Sequence, residues 1–175
     1  MTSITKTKGD IVADFFNGSG TTCRVARRLN RHFIGCDINP ISAELSGVEV
    51  STIDDIDNPL DKVFIMDNLT LMNALYEKHG SFIDLIYIDP PFGRTAVDKQ
   101  FGIQWKDFPV DEKFLTEMFG LGAKNLPRDN KAFFTWIYPR LVIMHKLLAP
   151  TGSFYLHIDP QTSHYIKIML DYIYE

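Results

Sequence analysis

A carboxylate, two prolines and an aromatic ring follow an apolar run in residues 86–92, Ile-Tyr-Ile-Asp-Pro-Pro-Phe. Asp89 offers a charged hydrogen-bond acceptor, and the Pro90 carbonyl, held rigid by the prolines, offers a second. Together they could hold both N–H groups of an aromatic amine and free its lone pair for attack. Phe92 adds a flat face on which a flipped-out base could stack. The pattern therefore predicts group transfer to an amine by positioning and preorganised acceptors, with an ordinary Asp-Pro turn as the alternative.

A second group with chemical potential is the glycine turn in residues 14–22, Asp-Phe-Phe-Asn-Gly-Ser-Gly-Thr-Thr. Glycine lets the backbone bend sharply and lets a ligand approach main-chain N–H groups. A phosphate loop would need a lysine directly after Gly20, and a dinucleotide fingerprint would need glycine or alanine where Cys23 stands. Neither pattern is met. The remaining interpretations are a turn without a ligand and a nucleoside site that takes no pyrophosphate.

Asp37 favours the nucleoside, because it ends the next apolar run seventeen positions after Gly20. An acidic side chain there can accept hydrogen bonds from both ribose hydroxyls of an adenosine. The alternative is that Asp37 only caps the helix that follows.

The elements that must position these residues alternate along the chain. Apolar runs predict strands at residues 11–16, 32–37, 62–66, 82–88 and 153–158, and periodicity predicts helices at 21–29, 40–45, 69–78, 131–148 and 161–174. Pro139 predicts a kink or a break in the fourth helix. Alternating apolar strands and helices indicate an α/β fold with a doubly wound, mainly parallel sheet. Ligands of such sheets bind at the carboxyl ends of the strands, where both motifs fall.

The length of 175 residues suits one domain. We divide it into a cofactor-binding half at residues 1–50, a linker-like loop rich in aspartate at 51–61, and a catalytic half at 62–175. Within the last part, residues 93–130 show no clear period. No apolar run is long enough for a membrane helix, and no signal peptide precedes the first strand, so we expect a cytoplasmic protein without membrane contact. Cys23 and Cys36 lack metal-ligand spacing, which predicts reduced thiols and no metal.

The two motifs together resemble those of the DNA amino-methyltransferases, with the cofactor motif ahead of the Asp-Pro-Pro-Phe motif. The likeness extends to residues 31–37, 66–69, 136–141 and 152–159. It implies a Rossmann-like methyltransferase fold and S-adenosylmethionine as cofactor. It also implies methyl transfer to adenine N6 of a flipped DNA base, as in restriction-modification. The chain ends within its last predicted helix, so we expect a truncated core that lacks the last strands and the target recognition domain.

The resemblance assigns site residues by matching positions. The catalytic residues are Asp89, Pro90, Pro91 and Phe92. The cofactor-binding residues are Asp14, Phe16, Asn17, Gly18, Ser19, Gly20, Thr21, Thr22, Asp37, Asp67 and Asn68. Of these, Asp37 would hold the ribose, and Asp67 and Asn68 would lie near the cofactor adenine or the target amine.

Three alternatives stay open. Cytosine N4 enzymes commonly carry serine where Asp89 stands, and enzymes that methylate RNA or protein amines favour asparagine there. A catalytically incomplete fragment could bind only the cofactor or a partner. Acidic residues outnumber basic ones, 22 to 18, so we expect weak DNA binding by this chain alone. A recognition domain, a recognition subunit or a homodimer would then supply the missing contacts, and residues 93–130 would order around the target nucleotide.

Overall fold

A computed structural model describes residues 9–92 and 103–175. Six strands form one parallel sheet in the order β3-β4-β2-β1-β5-β6. The strands are β1 (Ile11–Asp14), β2 (His32–Asp37), β3 (Val50–Ser51), β4 (Lys62–Ile65), β5 (Ile83–Ile88) and β6 (Leu148–Leu156). The predicted α/β fold with a parallel Rossmann-like sheet is confirmed.

Within residues 9–92 and 103–175, six helices accompany the sheet: α1 (Thr21–Arg28), α2 (Ile41–Ser46), α3 (Asn68–His79), α4 (Glu112–Phe119), α5 (Arg128–Leu147) and α6 (Ser163–Tyr174). Short 3-10 helices lie at Ile53–Asp55, Trp105–Asp107 and Gly120–Asn125. Among the described residues, no helix is long and apolar enough to cross a bilayer.

The order of the strands creates a switch point between β1 and β5. From β1 the chain runs outward to β2 on one side, and it later returns to β5 on the other side of β1. Ala13 is paired with Ile34 of β2 and with Ile86 of β5. Ligands of open parallel sheets bind at such a point, beyond the carboxyl ends of the strands. The segments that follow β1 and β5 therefore flank the expected ligand position.

The chain forms two compact units. The first comprises the described residues up to Asp89 together with Ile143–His157, and it holds the whole sheet. Its interior is aliphatic and aromatic, with Phe33, Phe64 and Ile86 fully buried. Strands covered on both faces need such near-continuous apolar runs, which is why they were readable in the sequence.

The second unit comprises the described residues from Pro90 to Val142 together with Ile158–Glu175. Its aromatic cluster is centred on the buried Trp105, whose ring lies 5.5 Å from those of Phe133 and Trp136. The Arg128 guanidinium donates hydrogen bonds to the Trp105 carbonyl (2.7 Å) and to the Phe108 carbonyl (3.0 Å). These contacts give the unit a core of its own.

Several elements differ from the prediction. Helix α4 lies within residues 93–130, where the sequence showed no period, and Asp111 caps it by accepting from Phe114 N. The two-residue strand β3 is too short to leave a pattern. Pro139 lies inside the continuous helix α5 and does not separate two helices, and the flanking Ile137 and Leu141 are buried. Strand β6 begins at Leu148, before the predicted residue 153.

The predicted division at residues 50 and 61 stays a prediction. Strands from both predicted halves share the sheet, since β2 pairs with β4 and β1 pairs with β5. Residues between these halves supply a 3-10 helix at Ile53–Asp55, which Thr52 and Asp55 close with a capping box.

Candidate active site

The glycine turn connects β1 to α1 at the carboxyl edge of the sheet. Gly18 and Gly20 both have positive φ, 50° and 74°, which glycine adopts without strain. Gly20 also packs against α2, because a Cβ there would lie 2.1 Å from Ser46 Oγ. Around Gly18 the nearest atom to such a Cβ would be Phe16 O, at 3.8 Å. Gly20 thus seats the turn, whereas Gly18 leaves room for a ligand to approach the backbone.

Asp37 joins the glycine turn to the loop after β2. Its Oδ2 accepts from Gly18 N (2.8 Å), and its Oδ1 accepts from Asn39 N (2.9 Å). Helix α2 begins after Pro40 with no side-chain cap, so Asp37 is not its N-cap residue. Each carboxylate oxygen can accept more than one hydrogen bond. Asp37 is half-buried and keeps acceptor capacity for two hydroxyl groups.

Asp14 is a buried carboxyl at the end of β1. Burial raises its pKa to about 6, and the charges of Asp37 and Asp89 contribute in the same direction. Hydrogen bonds from the Thr22 side chain and from Phe16 N (3.0 Å) oppose the shift by stabilising the charged form. Three carboxylates that repel one another make this edge of the sheet electronegative. A bound cation would relieve that repulsion.

The Asn17 side chain is buried, and it contacts residues of α1 and α2. Its side-chain amide donates to Ser42 Oγ and Ser46 Oγ, both at 2.9 Å, and its Oδ1 accepts from Cys23 Sγ at 2.9 Å. Its backbone is engaged as well, since Asn17 N donates to Cys36 O and Asn17 O accepts from Gly20 N. Asn17 therefore supports the turn from the protein interior, and a direct contact between its side chain and a cofactor stays a prediction.

The other predicted residues of the turn differ in exposure. Ser19 and Thr21 are exposed, and their hydroxyls lie 3.1 Å apart, whereas Thr22 is buried. The Arg24 guanidinium donates to the Ser19 carbonyl and to the Leu45 carbonyl. Arg24 thereby ties the turn to α2.

Asp67 and Asn68 stand at the beginning of α3, beside β1. The exposed Asp67 caps the helix, because its Oδ1 accepts from Thr70 N (3.0 Å) and Thr70 Oγ1 (3.1 Å). The buried Asn68 donates its amide to Phe15 O at 2.8 Å. Asn68 thus contacts the backbone directly after β1, and the roles of Asp67 and Asn68 near the cofactor adenine or the target amine stay a prediction.

Asp89 directly follows β5, the neighbour of β1. Its side chain is exposed, and its Oδ1 lies 3.1 Å from His157 Nδ1. Pro90 is buried, while Pro91 and Phe92 are half-buried. Residues 93–102, part of the segment expected to order around a target nucleotide, lie outside the described residues. The described part of that segment contains α4 and two 3-10 helices.

Two residues at this edge were not in the predicted set. His157 contacts Asp89, and only the pairing of β5 with β6 reveals that contact. Ile38 follows Asp37 and leaves 76% of its surface exposed, which is unusual for isoleucine and suits an apolar face of a nucleoside. A large apolar residue directly after the acid that ends a strand was the available signal for Ile38.

Neither cysteine is set up as a nucleophile. Both are free and buried, and burial raises the pKa of the Cys23 thiol and of the Cys36 thiol. Reactive thiols are partly exposed and have a lowered pKa, so these two are structural. The part of the chain that the structure describes contains no group of three residues placed to hold a metal ion.

Comparison with known proteins identifies relatives of one kind. The family model described as DNA methylase, for N6 and N4 methyltransferases, matches residues 2–46 and 83–174. The Mod subunit of the Type III restriction-modification enzyme StyLTI from Salmonella typhimurium is 32% identical over 136 residues. The Type II methyltransferase M.KpnI from Klebsiella pneumoniae is 27% identical over 146 residues. The EcoP15I Mod subunit from Escherichia coli is 29% identical over 122 residues.

The aligned regions cover most of this chain but a minor part of each relative. They cover 73%, 79% and 62% of the chain, respectively, and 20%, 31% and 18% of the three relatives. The chain therefore corresponds to between about a fifth and a third of the length of these proteins. The family match leaves out residues 47–82, which contain β3, β4 and the whole of α3.

Proposed function

Because this chain belongs to the DNA methylase family of N6 and N4 methyltransferases, we propose that it transfers a methyl group from S-adenosylmethionine to adenine N6 in DNA. One observation carries the proposal: Asp89 and the glycine turn follow two paired strands of the same sheet. An acceptor for an amine and a site for a nucleoside are thereby brought to one edge. The relatives that the chain matches are restriction-modification enzymes and methyltransferases, which supports the same reaction class.

The residues at this edge suit S-adenosylmethionine. The cofactor carries positive charge on its sulfonium and its amino group, and Asp14, Asp37 and Asp89 make the edge electronegative. The backbone at Gly18 is open, the Asp37 carboxylate can accept from ribose hydroxyls, and Ile38 offers an apolar face to the adenine. When bound, the cofactor supplies an electrophilic methyl group to the acceptor amine.

The chain's own residues would prepare the amine. An exocyclic amine is a weak nucleophile because its lone pair is delocalised into the ring. Asp89 accepts one N–H and the Pro90 carbonyl accepts the other, which favours a tetrahedral nitrogen with its lone pair free. Phe92 stacks on the flipped base and keeps the amine in line with the methyl group. The rate enhancement then comes from positioning and from preorganised acceptors, without a covalent enzyme intermediate.

We propose adenine over cytosine because Asp89 stands where N4 enzymes commonly carry serine. The chain should be incubated with labelled S-adenosylmethionine and unmethylated DNA of mixed sequence, and the nucleosides should be separated by mass. Label in N6-methyladenine is expected. Label in N4-methylcytosine would refute the choice of base but keep the reaction class.

Asp89→Ala is the variant that tests the proposed catalytic role. It should abolish transfer and leave the affinity for S-adenosylmethionine within a few fold, because Asp89 contacts the target amine. Single-turnover transfer and calorimetry measure the two quantities separately. A near-normal transfer rate in Asp89→Ala would remove Asp89 from the mechanism.

A further inference from the structure

The end of strand β6 lies beside Asp89, the first residue of the Asp-Pro-Pro turn. Ile88 is paired with Leu156 in the parallel ladder, and Asp89 and His157 are the residues that follow. His157 N donates to Ile88 O at 2.9 Å, so the backbone pairing continues past the assigned ends of the strands. The His157 side chain then reaches Asp89, with 3.1 Å between Nδ1 and Oδ1. His157 therefore contacts this segment through both its main chain and its side chain.

The 3.1 Å separation of Nδ1 and Oδ1 makes this an ion-pair contact by distance. An ionised carboxylate only accepts hydrogen bonds, so the contact becomes a hydrogen bond when His157 carries a proton on Nδ1. A carboxylate at a strand end can otherwise rotate about its Cβ–Cγ bond. A contact at Oδ1 restricts that rotation and leaves Oδ2 as the oxygen available to an amine.

The exposure of the two side chains indicates whether the contact contributes to folding stability or to orientation. The His157 side chain is 61% exposed and the Asp89 side chain is 52% exposed. Ion pairs and hydrogen bonds at such positions add little to folding stability, because water screens them and competes for both partners. The value of the contact therefore lies in orientation.

We propose that His157 is a positioning residue for the reaction: its Nδ1–H orients the Asp89 carboxylate toward the target amine. This inference rests on the proposed function, in which Asp89 accepts a hydrogen bond from that amine. It adds the residue that follows β6 to a site otherwise built from the segments that follow β1, β2 and β5.

Three substitutions of His157 separate orientation from bulk and charge. The amide nitrogen of asparagine can take the place of Nδ1, whereas that of glutamine reaches nearer to Nε2. His157→Ala and His157→Gln should lower the single-turnover rate of methyl transfer by roughly 2- to 5-fold, the scale that an exposed contact screened by water can contribute to one orientation of the carboxylate. His157→Asn should restore most of the rate. All three should keep the wild-type dissociation constant for S-adenosylmethionine within a few fold.

The outcomes distinguish this inference from the proposed function. If the wild type transfers methyl and His157→Ala is equally fast, the positioning role is wrong and the proposed function stands. The role is also wrong if glutamine restores the rate as well as asparagine does. If the wild type transfers no methyl to any DNA, the proposed function fails, and a second measurement must decide on His157.

That measurement is the tautomer of His157 in protein labelled with nitrogen-15 at histidine. A neutral imidazole in water favours the proton on Nε2, so a proton on Nδ1 requires a partner such as Asp89. The inference expects the Nδ1–H form in the wild type and its loss in Asp89→Ala. An Nε2–H form in the wild type, or the same spectrum in Asp89→Ala, would overturn the contact without any activity assay.

Discussion

At the scale of single residues, the carboxylates of the sheet edge do different work. Asp37 is already engaged by two backbone N–H groups, so it both shapes the turn and remains able to bind a ligand. Asp14 is buried and close to the charges of Asp37 and Asp89. The sequence placed Asp37 and Asp89 at strand ends and Asp14 within the first predicted strand, but exposure and electrostatic coupling follow only from the packed sheet.

Asp37→Ala should weaken S-adenosylmethionine binding by about 1–3 kcal/mol, because charge-assisted hydrogen bonds to the ribose are lost. Asp37→Asn keeps one acceptor oxygen and should lose less. Isothermal calorimetry measures both. Asp61→Asn is a matched control, since Asp61 also accepts from a backbone N–H, that of Phe33, but beside the first residues of β2. Unchanged affinity in Asp37→Ala would remove the ribose assignment.

The Asp14 carboxyl should make the protein less stable as pH rises from about 4 to 7. Its folded pKa of about 6 lies above the unfolded value of 3.8, so between these values the folded state keeps a proton that the unfolded state has lost. The associated stability is present below pH 3.8 and is lost as pH rises through 6. This pKa shift corresponds to a contribution of at most about 3 kcal/mol to the free energy of unfolding.

Asp14→Asn isolates this effect from other titrations. The free energy of unfolding, measured in denaturant at pH 4 and pH 7, should decline more in the wild type than in Asp14→Asn. Thr22→Val removes a hydrogen bond to the charged form and should move the decline to higher pH. Parallel declines in the wild type and in Asp14→Asn would contradict the raised pKa.

At the scale of elements, the glycine turn depends on α2 as much as on its own glycines. Gly20→Ala should destabilise the fold by more than the roughly 1 kcal/mol expected for an alanine at positive φ, because its Cβ would meet Ser46. Gly18→Ala has a similar φ but open surroundings, so it should incur only the conformational cost. Denaturant unfolding of both variants makes the comparison. Equal losses in the two variants would mean that the contact with α2 is unimportant.

The elements also show what the sequence could reveal. Buried parallel strands leave continuous apolar runs, so β1, β2, β4 and β5 were predicted within about two residues of their observed ends. Helix α4 was missed because only Leu115 among its residues is buried, which leaves little periodicity. The burial of the Asn17 side chain was not predictable, since its partners Ser42 and Ser46 lie on α2, more than twenty residues further along the chain. His157 was not predicted for a similar reason: its partner Asp89 follows a strand that is distant in the sequence.

At the scale of the whole molecule, the excess of acidic over basic residues argues against tight binding to duplex DNA. The net charge is −4, and affinity for duplex comes largely from neutralising phosphates with lysine and arginine. Arg24, a basic residue of α1, is engaged with the carbonyls of Ser19 and Leu45. We expect this chain alone to bind duplexes weakly and without sequence preference, so that recognition would come from a further domain or partner.

Binding to labelled duplexes of varied sequence, at low and at moderate salt, checks this expectation. The affinity should be low, similar for all sequences, and only weakly dependent on salt, because few counterions are released. An unrelated protein of the same net charge serves as the control for nonspecific binding of the duplexes. Tight binding to one sequence would show that residues 1–175 already contain the recognition surface.

The close approach of Gly20 to Ser46 has a consequence for how this protein can evolve. A Cβ at position 20 would lie 2.1 Å from Ser46 Oγ and 2.8 Å from Ser46 Cα, so a side chain there requires a shift of α2 itself, and Ser46 Oγ also accepts from the Asn17 amide. Positions 17, 20 and 46 therefore form one inherited unit in which a drift at one position is tolerated only with a compensating change at another. Homologues with a bulky residue at position 46 should carry a rebuilt turn, and alignments deep enough to measure covariation should couple these three columns more strongly than their distance in sequence suggests.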